Sequence, residues 1–168
     1  MITISTKKIK SFFQKTYDNM VENLPFHKLT CTCGRSGEMI RHGRYSRSIK
    51  SSTGIESIRI LRVRCKSCGK THALLPEWLV PYSSVLLKDH LEILKAYLAG
   101  KSVKPIMEVT PLIDESTVGY IVKQFKRHWQ QRLAAFKIPI DENIVCACFQ
   151  AFGRQFMQIK CTLNLLFS

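Results

Sequence analysis

The chain is short of acidic side chains. Only 12 Asp and Glu stand against 26 Lys and Arg, so the formal net charge is +14. Such an excess of positive charge predicts a polyanionic partner, of which nucleic acid is the commonest. The sequence also lacks a continuous apolar run of about eighteen residues and a signal-peptide core after Met1, which argues against a membrane span and against secretion. We therefore expect a cytoplasmic protein with no membrane partner.

The motifs of the common enzyme classes are also missing. The sequence has no nucleophile-and-base arrangement, no phosphate-binding glycine loop and no dinucleotide motif. DNA strand transfer would need three carboxylates converging on two metal ions. The close acid pairs in the second half of the chain, Asp114 with Glu115 and Asp141 with Glu142, are better explained at helix N-termini, where negative charge is favoured. We predict that the protein is not an enzyme.

Four of the seven cysteines form two close pairs, Cys31 with Cys33 and Cys65 with Cys68, and a glycine follows each pair. Thiol pairs about thirty residues apart predict a zinc ribbon that holds one structural Zn²⁺. Metal binding is then expected to contribute on the order of 10 kcal/mol to folding. A set of buried or disulfide-bonded cysteines is an alternative, but disulfide frameworks belong to secreted chains.

The first cysteine pair has an unusual spacing. Cys65 and Cys68 are separated by the customary two residues, but only one residue separates Cys31 from Cys33. A histidine could therefore replace a cysteine as ligand in this pair. The histidines close in sequence to either pair are His27, His42 and His72.

A β-hairpin is predicted between the two cysteine pairs. Residues 39–50 precede a turn signal at 51–54, and residues 61–65 alternate apolar and basic side chains as a half-buried strand does. The exposed surface of this hairpin would carry Arg59 and five candidate DNA contacts: Arg41, Arg44, Arg47, Arg62 and Arg64. The alternative is that these arginines only keep a small domain soluble.

Apolar periodicity predicts helices on both sides of the hairpin. An amphipathic helix is expected within residues 7–24, and the apolar face predicted for it contains Ile9, Phe12, Phe13, Thr16, Met20 and Leu24. Prolines make residues 71–83 an apolar linker. Beyond it we predict a helix from Ser84 to Gly100 and a short element at 103–109. A third helix, N-capped by Asp114, would continue to about Lys137. This order of elements is that of a helix-turn-helix domain.

The third helix would be the recognition helix of that domain. Val118, Ile121, Val122 and Phe125 recur at helical spacing and form a predicted buried stripe. The side chains expected to face outward are Ser116, Thr117, Tyr120, Lys123, Gln124 and Arg127. Ser116, Thr117 and Gln124 suit base edges, whereas Lys123 and Arg127 suit phosphates. A three-helix bundle that binds nothing shares the same periodicity and is the alternative.

The end of the chain is predicted to add one more helix and an apolar tail. The helix would start from Asp141 and place four side chains on one face: Val145, Phe149, Phe152 and Phe156. The tail, residues 161–168, offers a surface through which a homo-oligomer could form. The remaining cysteines, Cys146, Cys148 and Cys161, are expected to be small buried hydrophobes.

Two segments carry a resemblance to known proteins: RHGRYSR at residues 41–47 and RVRCKSCGKTHALLPEWLVPYS at residues 62–83. The chain resembles an uncharacterised family of small bacterial proteins associated with mobile elements. It is also similar to the zinc-ribbon and helix-turn-helix N-terminal part of insertion-sequence transposases. The likeness covers roughly residues 28–130. It implies DNA binding by a zinc-stabilised module, with Cys31, Cys33, Cys65 and Cys68 in the metal positions.

These observations together predict an α+β protein, in which a small β zinc ribbon precedes a mostly α helix-turn-helix bundle. The expected parts are an N-terminal helix, the ribbon with its linker, the helix-turn-helix and a C-terminal segment, at residues 1–27, 28–83, 84–137 and 138–168. The predicted function is duplex DNA binding by a regulator, an accessory protein or a truncated transposase. The alternatives are a structural or protein-interaction module and an RNA-binding ribbon.

Overall fold

The computed structural model describes residues 2–4, 13–51, 54–102, 106 and 113–158. They form a mixed α+β structure, as the sequence predicts. The chain divides into two compact units. The sheet unit contains the described residues up to Arg47 and those of 57–77, and the helical unit contains residues 48–56 and those from Trp78 onward. Within the described parts of the chain, no helix has the length and apolarity needed to cross a membrane.

Four strands form one sheet in the order β1-β4-β3-β2. Their bounds are Ile2–Ile4 for β1, Met39–Ser51 for β2, Gly54–Cys65 for β3 and Thr71–Pro76 for β4. β2, β3 and β4 form an antiparallel sheet, and β1 pairs with β4 in parallel. The register places Arg62 opposite Ala73 and Ile2 opposite Leu74. The predicted hairpin is therefore present.

The apolar linker predicted at residues 71–83 begins with a strand that the sequence analysis did not predict. Thr71–Pro76 is the strand β4, and its antiparallel pairing with β3 accounts for the extended backbone. Pro76 lies at the last position of the strand, where the missing N–H does not interrupt the β3 ladder. The sequence THALLP has no clear apolar–polar alternation, so periodicity alone does not identify this strand.

A helix, α1 (Phe13–Glu22), packs on the sheet through a face that differs from the predicted one. Its buried residues are Tyr17 and Val21, whereas Thr16 and Met20 are half-buried. The Tyr17 hydroxyl accepts the N–H of Leu61 on β3 at 2.8 Å and donates to the carbonyl of Leu74 on β4 at 2.9 Å. Because these hydrogen bonds hold Tyr17 against the sheet, α1 buries Tyr17 and Val21 instead of the predicted apolar face.

The helical unit contains α2 (Leu87–Leu98), α3 (Glu115–His128), α4 (Gln130–Ala135) and α5 (Ile144–Phe152). As predicted, α2 is followed by Gly100 in a left-handed conformation, with φ of 77°. The predicted short element at 103–109 lies outside the described residues except for Ile106, which is helical and buried. A single apolar core joins these helices, with Ile93, Ile121 and Phe125 among its fully buried members.

Two predictions for the second half of the chain need correction. The third helix does not run unbroken to Lys137, because Trp129 leaves helical geometry with φ of −124°. Its indole is buried and meets the rings of Phe152 and Phe156 edge-on, at 5.9 and 5.5 Å between centroids. The last helix begins at Ile144 rather than Asp141, and Phe149 is exposed on it.

Candidate metal centre and nucleic-acid interface

Two tight turns position the four cysteines. Cys31 and Cys33 lie between a 3₁₀ helix at Phe26–Lys28 and the strand β2, while Cys65 ends β3 and Cys68 lies in the turn before β4. Gly34 and Gly69, with φ of 87° and 72°, occupy the left-handed region that glycine adopts without strain. The glycine after each cysteine pair is therefore required by the backbone.

The two turns close with equivalent hydrogen bonds. In the first, the Gly34 N–H donates to the Cys31 carbonyl at 2.9 Å and the Cys31 N–H donates to Arg35 at 2.8 Å. In the second, the Gly69 N–H donates to the Cys65 carbonyl and the Cys65 N–H donates to Lys70, both at 2.9 Å. The first turn is one residue shorter, which is the residue missing between Cys31 and Cys33. The unusual spacing thus shortens the turn without changing how it closes.

The four cysteine sulfurs converge at one point. All four Sγ atoms lie within 4.8 Å of one another, with 3.6 Å between Cys31 and Cys68 and 3.9 Å between Cys33 and Cys65. A tetrahedral site with Zn–S bonds of about 2.3 Å has sulfurs about 3.8 Å apart. All four cysteines are free thiols, which excludes the disulfide alternative in this structure. The cluster can therefore hold a metal ion.

Backbone amides make the cluster suited to thiolates. Hydrogen bonds from the N–H groups of Cys68 and Ser67 lower the pKa of Cys65 to about 7. The Lys70 N–H also favours ionisation of Cys68, but burial and the three neighbouring thiols outweigh it and raise the pKa of Cys68 to about 11. Thiols this close cannot all ionise by themselves. A bound cation is what would stabilise four thiolates at these positions.

Of the three candidate histidines, His72 is the one that reaches the cysteines. Its Nε2 atom lies 3.3 Å from the Cys31 sulfur, and burial lowers its pKa. The imidazole is thus a hydrogen-bond partner of Cys31, lying beside the cysteine cluster rather than in place of one of its members. His27 and His42 are exposed. The proximity of His72 depends on the β3–β4 turn, so the sequence could only suggest it.

The arginines of the hairpin do not share one environment. Arg44 forms an ion pair with Asp18 of α1, so this predicted DNA contact lies on the side of the sheet that the helix covers. The backbone N–H of Arg59 donates to Gln14 of α1 at 2.7 Å. The guanidinium of Arg41 lies 5.2 Å from the ring centroid of Phe26, in cation–π geometry.

A second group of side chains forms what we call the arginine–tyrosine face: Tyr45, Arg47, Arg62 and Arg64. Arg62 and Arg64 are exposed and alternate with buried residues of β3. The Arg62 guanidinium lies 5.8 Å from the centre of the Tyr45 ring, and Arg47 hydrogen-bonds the same tyrosine. Burial lowers the pKa of Arg47 and the tyrosine partly offsets this. The aromatic ring thus lies beside two cationic side chains, Arg47 and Arg62.

The predicted buried and outward faces of α3 are largely those of the structure. Val118, Ile121 and Phe125 are buried, and Val122 is half-buried. Of the six residues expected to face outward, Ser116, Tyr120, Lys123 and Arg127 are exposed, whereas Thr117 and Gln124 are half-buried. The hydrophobic periodicity therefore identified the correct orientation of the helix.

Two of the predicted base contacts participate in the helix cap. Asp114 accepts the Thr117 N–H at 2.9 Å, which confirms it as the N-cap of α3. Asp114 also accepts hydrogen bonds from the hydroxyls of Ser116 and Thr117. It forms an ion pair with Lys50, whose Nζ lies 3.0 Å from the carboxylate. The Ser116 hydroxyl, Lys50 and Thr117 together hold the pKa of Asp114 well below its usual range. In this structure both hydroxyls bind the protein itself.

Two residues on the exposed side of α3 were not among the predicted site residues. Gly119 and Lys126 line an open depression on α3 together with Val122, Lys123 and Arg127. Their spacing from Lys123, four residues before and three after, is the signal that would have placed them on one side of the helix.

The fold and the cysteine cluster together define a mixed α+β protein with a site that can hold a metal ion. Residues 30–114 of the 168-residue chain match the family model described as domain of unknown function DUF6431. The chain therefore belongs to this family. The matched segment starts one residue before Cys31 and ends at Asp114, so it contains all four cysteines and stops where α3 begins. No curated protein and no solved structure matches the chain.

Proposed function

We propose that this protein is a non-catalytic, zinc-stabilised duplex DNA-binding protein related to transposases, acting as a regulator, an accessory protein or a truncated transposase. Zinc is proposed because four thiolate donors at near-tetrahedral spacing suit this ion. His72 would hold the Cys31 sulfur in place by a hydrogen bond. The metal would stabilise the two turns of the sheet unit.

The single observation that carries the DNA proposal is the distribution of charge. Two ion pairs in the described parts of the chain join Arg44 with Asp18 and Lys50 with Asp114. Arg62, Arg64 and the lysines of α3 belong to neither of these two pairs. Exposed guanidinium groups beside an aromatic ring suit phosphates and stacked bases. These exposed cations therefore lie where a polyanion can reach them.

A helix-turn-helix arrangement of α2 and α3 is part of the proposal. It is supported by the turn at Ala99 and Gly100 that ends α2, the capped start of α3 and the apolar core that the two helices share. Lys123 and Arg127 would contact phosphates, while Tyr120 and Gln124 would lie nearer the bases. The non-catalytic role is supported by Asp114, which caps α3, and by Asp141, which accepts the Asn143 N–H in the turn before α5.

The proposal is tested with zinc-loaded protein and a pool of random-sequence duplex DNA. The variant R62Q/R64Q removes two exposed charges from the arginine–tyrosine face, and R132Q, on the exposed side of α4, is the matched control. If both arginines contact phosphates, the slope of log K against log salt becomes less negative by about 1.8. The control should change neither slope nor affinity at a given site. Equal slopes for wild type and R62Q/R64Q would refute this interface, and absence of binding at low salt would favour a protein-interaction role.

A further inference from the structure

Gly119 is a glycine that the isolated protein does not require. It lies inside α3 with ordinary helical backbone angles, unlike the other described glycines, which have positive φ. It is exposed, and a Cβ atom built on it would meet nothing within 4 Å. Glycine in a helix interior weakens the helix relative to alanine. Neither backbone conformation nor packing therefore accounts for this residue.

The surroundings of Gly119 are strongly basic. Lys123 follows one turn later on the same side of the helix, and Lys126 and Arg127 follow after two turns. These residues and Val122 line the open depression that exposes the Gly119 backbone. Glu115, at the first position of α3, is the one acid within four residues on this side. The surface presents three positive charges around a point where no side chain covers the helix.

We propose that the sugar–phosphate backbone of duplex DNA lies directly against α3 at Gly119, held by Lys123, Lys126 and Arg127. The absence of a Cβ lets the DNA approach the helix backbone more closely than any other residue would allow. An apolar protein helix packing into the same depression would bury the three cations without partners, which is unfavourable. This inference rests on the proposed DNA-binding function and adds the place and closeness of contact.

The test uses a steric series at one position. Gly119→Ala and Gly119→Leu are compared with wild type, each zinc-loaded, for thermal stability and for affinity toward the pool of random-sequence duplex DNA at about 50 mM salt. Ala134→Leu, which adds bulk to an exposed position of α4, is the matched control. Because alanine favours the helix, Gly119→Ala should raise the Tm by about 1–4 °C.

DNA affinity should change in the opposite direction. A methyl group forced into a close contact is expected to weaken binding about fivefold or more, and the leucine should weaken it further. Ala134→Leu should bind like wild type. If Gly119→Ala and Gly119→Leu both bind as tightly as wild type, the close approach at Gly119 is refuted while DNA binding stands. If wild type itself does not bind duplex DNA, the proposed function fails and this inference fails with it.

Discussion

Replacing Tyr17 by phenylalanine tests how the sheet unit is held together. The hydroxyl lies between β3 and β4, where it accepts the Leu61 N–H and donates to the Leu74 carbonyl. Tyr17, Leu61 and Leu74 are all buried, so water cannot replace the lost partner. A buried polar group left without a partner costs about 1–3 kcal/mol, and two such groups should lower the free energy of unfolding by about 2–6 kcal/mol.

This prediction is measured by urea unfolding of zinc-loaded wild type, Tyr17→Phe and the control Tyr82→Phe. Tyr82 is 65% exposed, so removal of its hydroxyl should change the stability by less than about 0.5 kcal/mol. In thermal unfolding, Tyr17→Phe should likewise have a lower Tm than Tyr82→Phe. A loss of less than about 0.5 kcal/mol for Tyr17→Phe would mean that the bridge between the strands contributes nothing, and would refute the reasoning.

The ionisation of Tyr17 gives the same experiment a pH dependence. Burial raises the pKa of Tyr17 from 10.0 to about 12, although the hydrogen bond from Leu61 and the charge of Arg44 oppose the shift. The folded protein therefore keeps this proton at a pH at which the unfolded chain has lost it. The stabilisation is complete below pH 10 and is lost as the pH rises toward 12, by about 2–3 kcal/mol in total. Tyr17→Phe should lose correspondingly less stability over that interval.

Three further outcomes are expected. Cys33→Ser should lower the zinc content, measured by mass spectrometry of the native protein, whereas the exposed Cys146→Ser outside the cluster should retain one zinc per chain; equal zinc content in the two would exclude Cys33 as a ligand. Asp114→Ala should lower the Tm by about 2–4 °C through loss of the α3 cap, and an unchanged Tm would contradict the capping role. Lys50→Met should lower the Tm less than Asp114→Ala, because the N–H of Thr117 keeps its acceptor.

The parts of the structure that the sequence predicted rest on local chemistry. Asp114 caps α3, and Gly100 follows α2, because a carboxylate at an N-cap and a glycine after a helix act within a few residues of where they stand. The convergence of Cys31, Cys33, Cys65 and Cys68 could be predicted for a similar reason: two close thiol pairs, each followed by a glycine, are typical of a metal site.

The parts that the sequence did not predict depend on partners distant in the chain. The buried face of α1 is set by Tyr17, whose hydroxyl forms hydrogen bonds with Leu61 and Leu74, more than forty residues away in the chain. Arg44 resembles the other hairpin arginines in sequence, but Asp18 pairs with it. The break at Trp129 likewise coincides with the burial of its ring against aromatic residues of the last helical segment. Periodicity within one segment carries no information on such contacts.

The burial pattern along β3 also depends on contacts that local periodicity does not reveal. Ile58 and Ile60 are buried in its first half, whereas Leu61, Val63 and Cys65 are buried in its second half. Side chains alternate between the two sides of a strand, so the covered side changes between Ile60 and Leu61. The Tyr17 hydroxyl binds the strand at this point. A strand covered on opposite sides in its two halves has no single alternating pattern, and only residues 61–65 gave a clear signal.

The most direct test of the central claim is to select random-sequence duplex DNA on the zinc-loaded wild-type protein, sequence the bound pool, and follow affinity against salt. Because several arginines or lysines would contact phosphates, affinity should fall steeply between about 50 and 200 mM salt. We expect an enriched motif that is lost when a chelator removes the metal. Absence of binding at low salt, or binding that a chelator leaves unchanged, would contradict a zinc-stabilised DNA-binding protein.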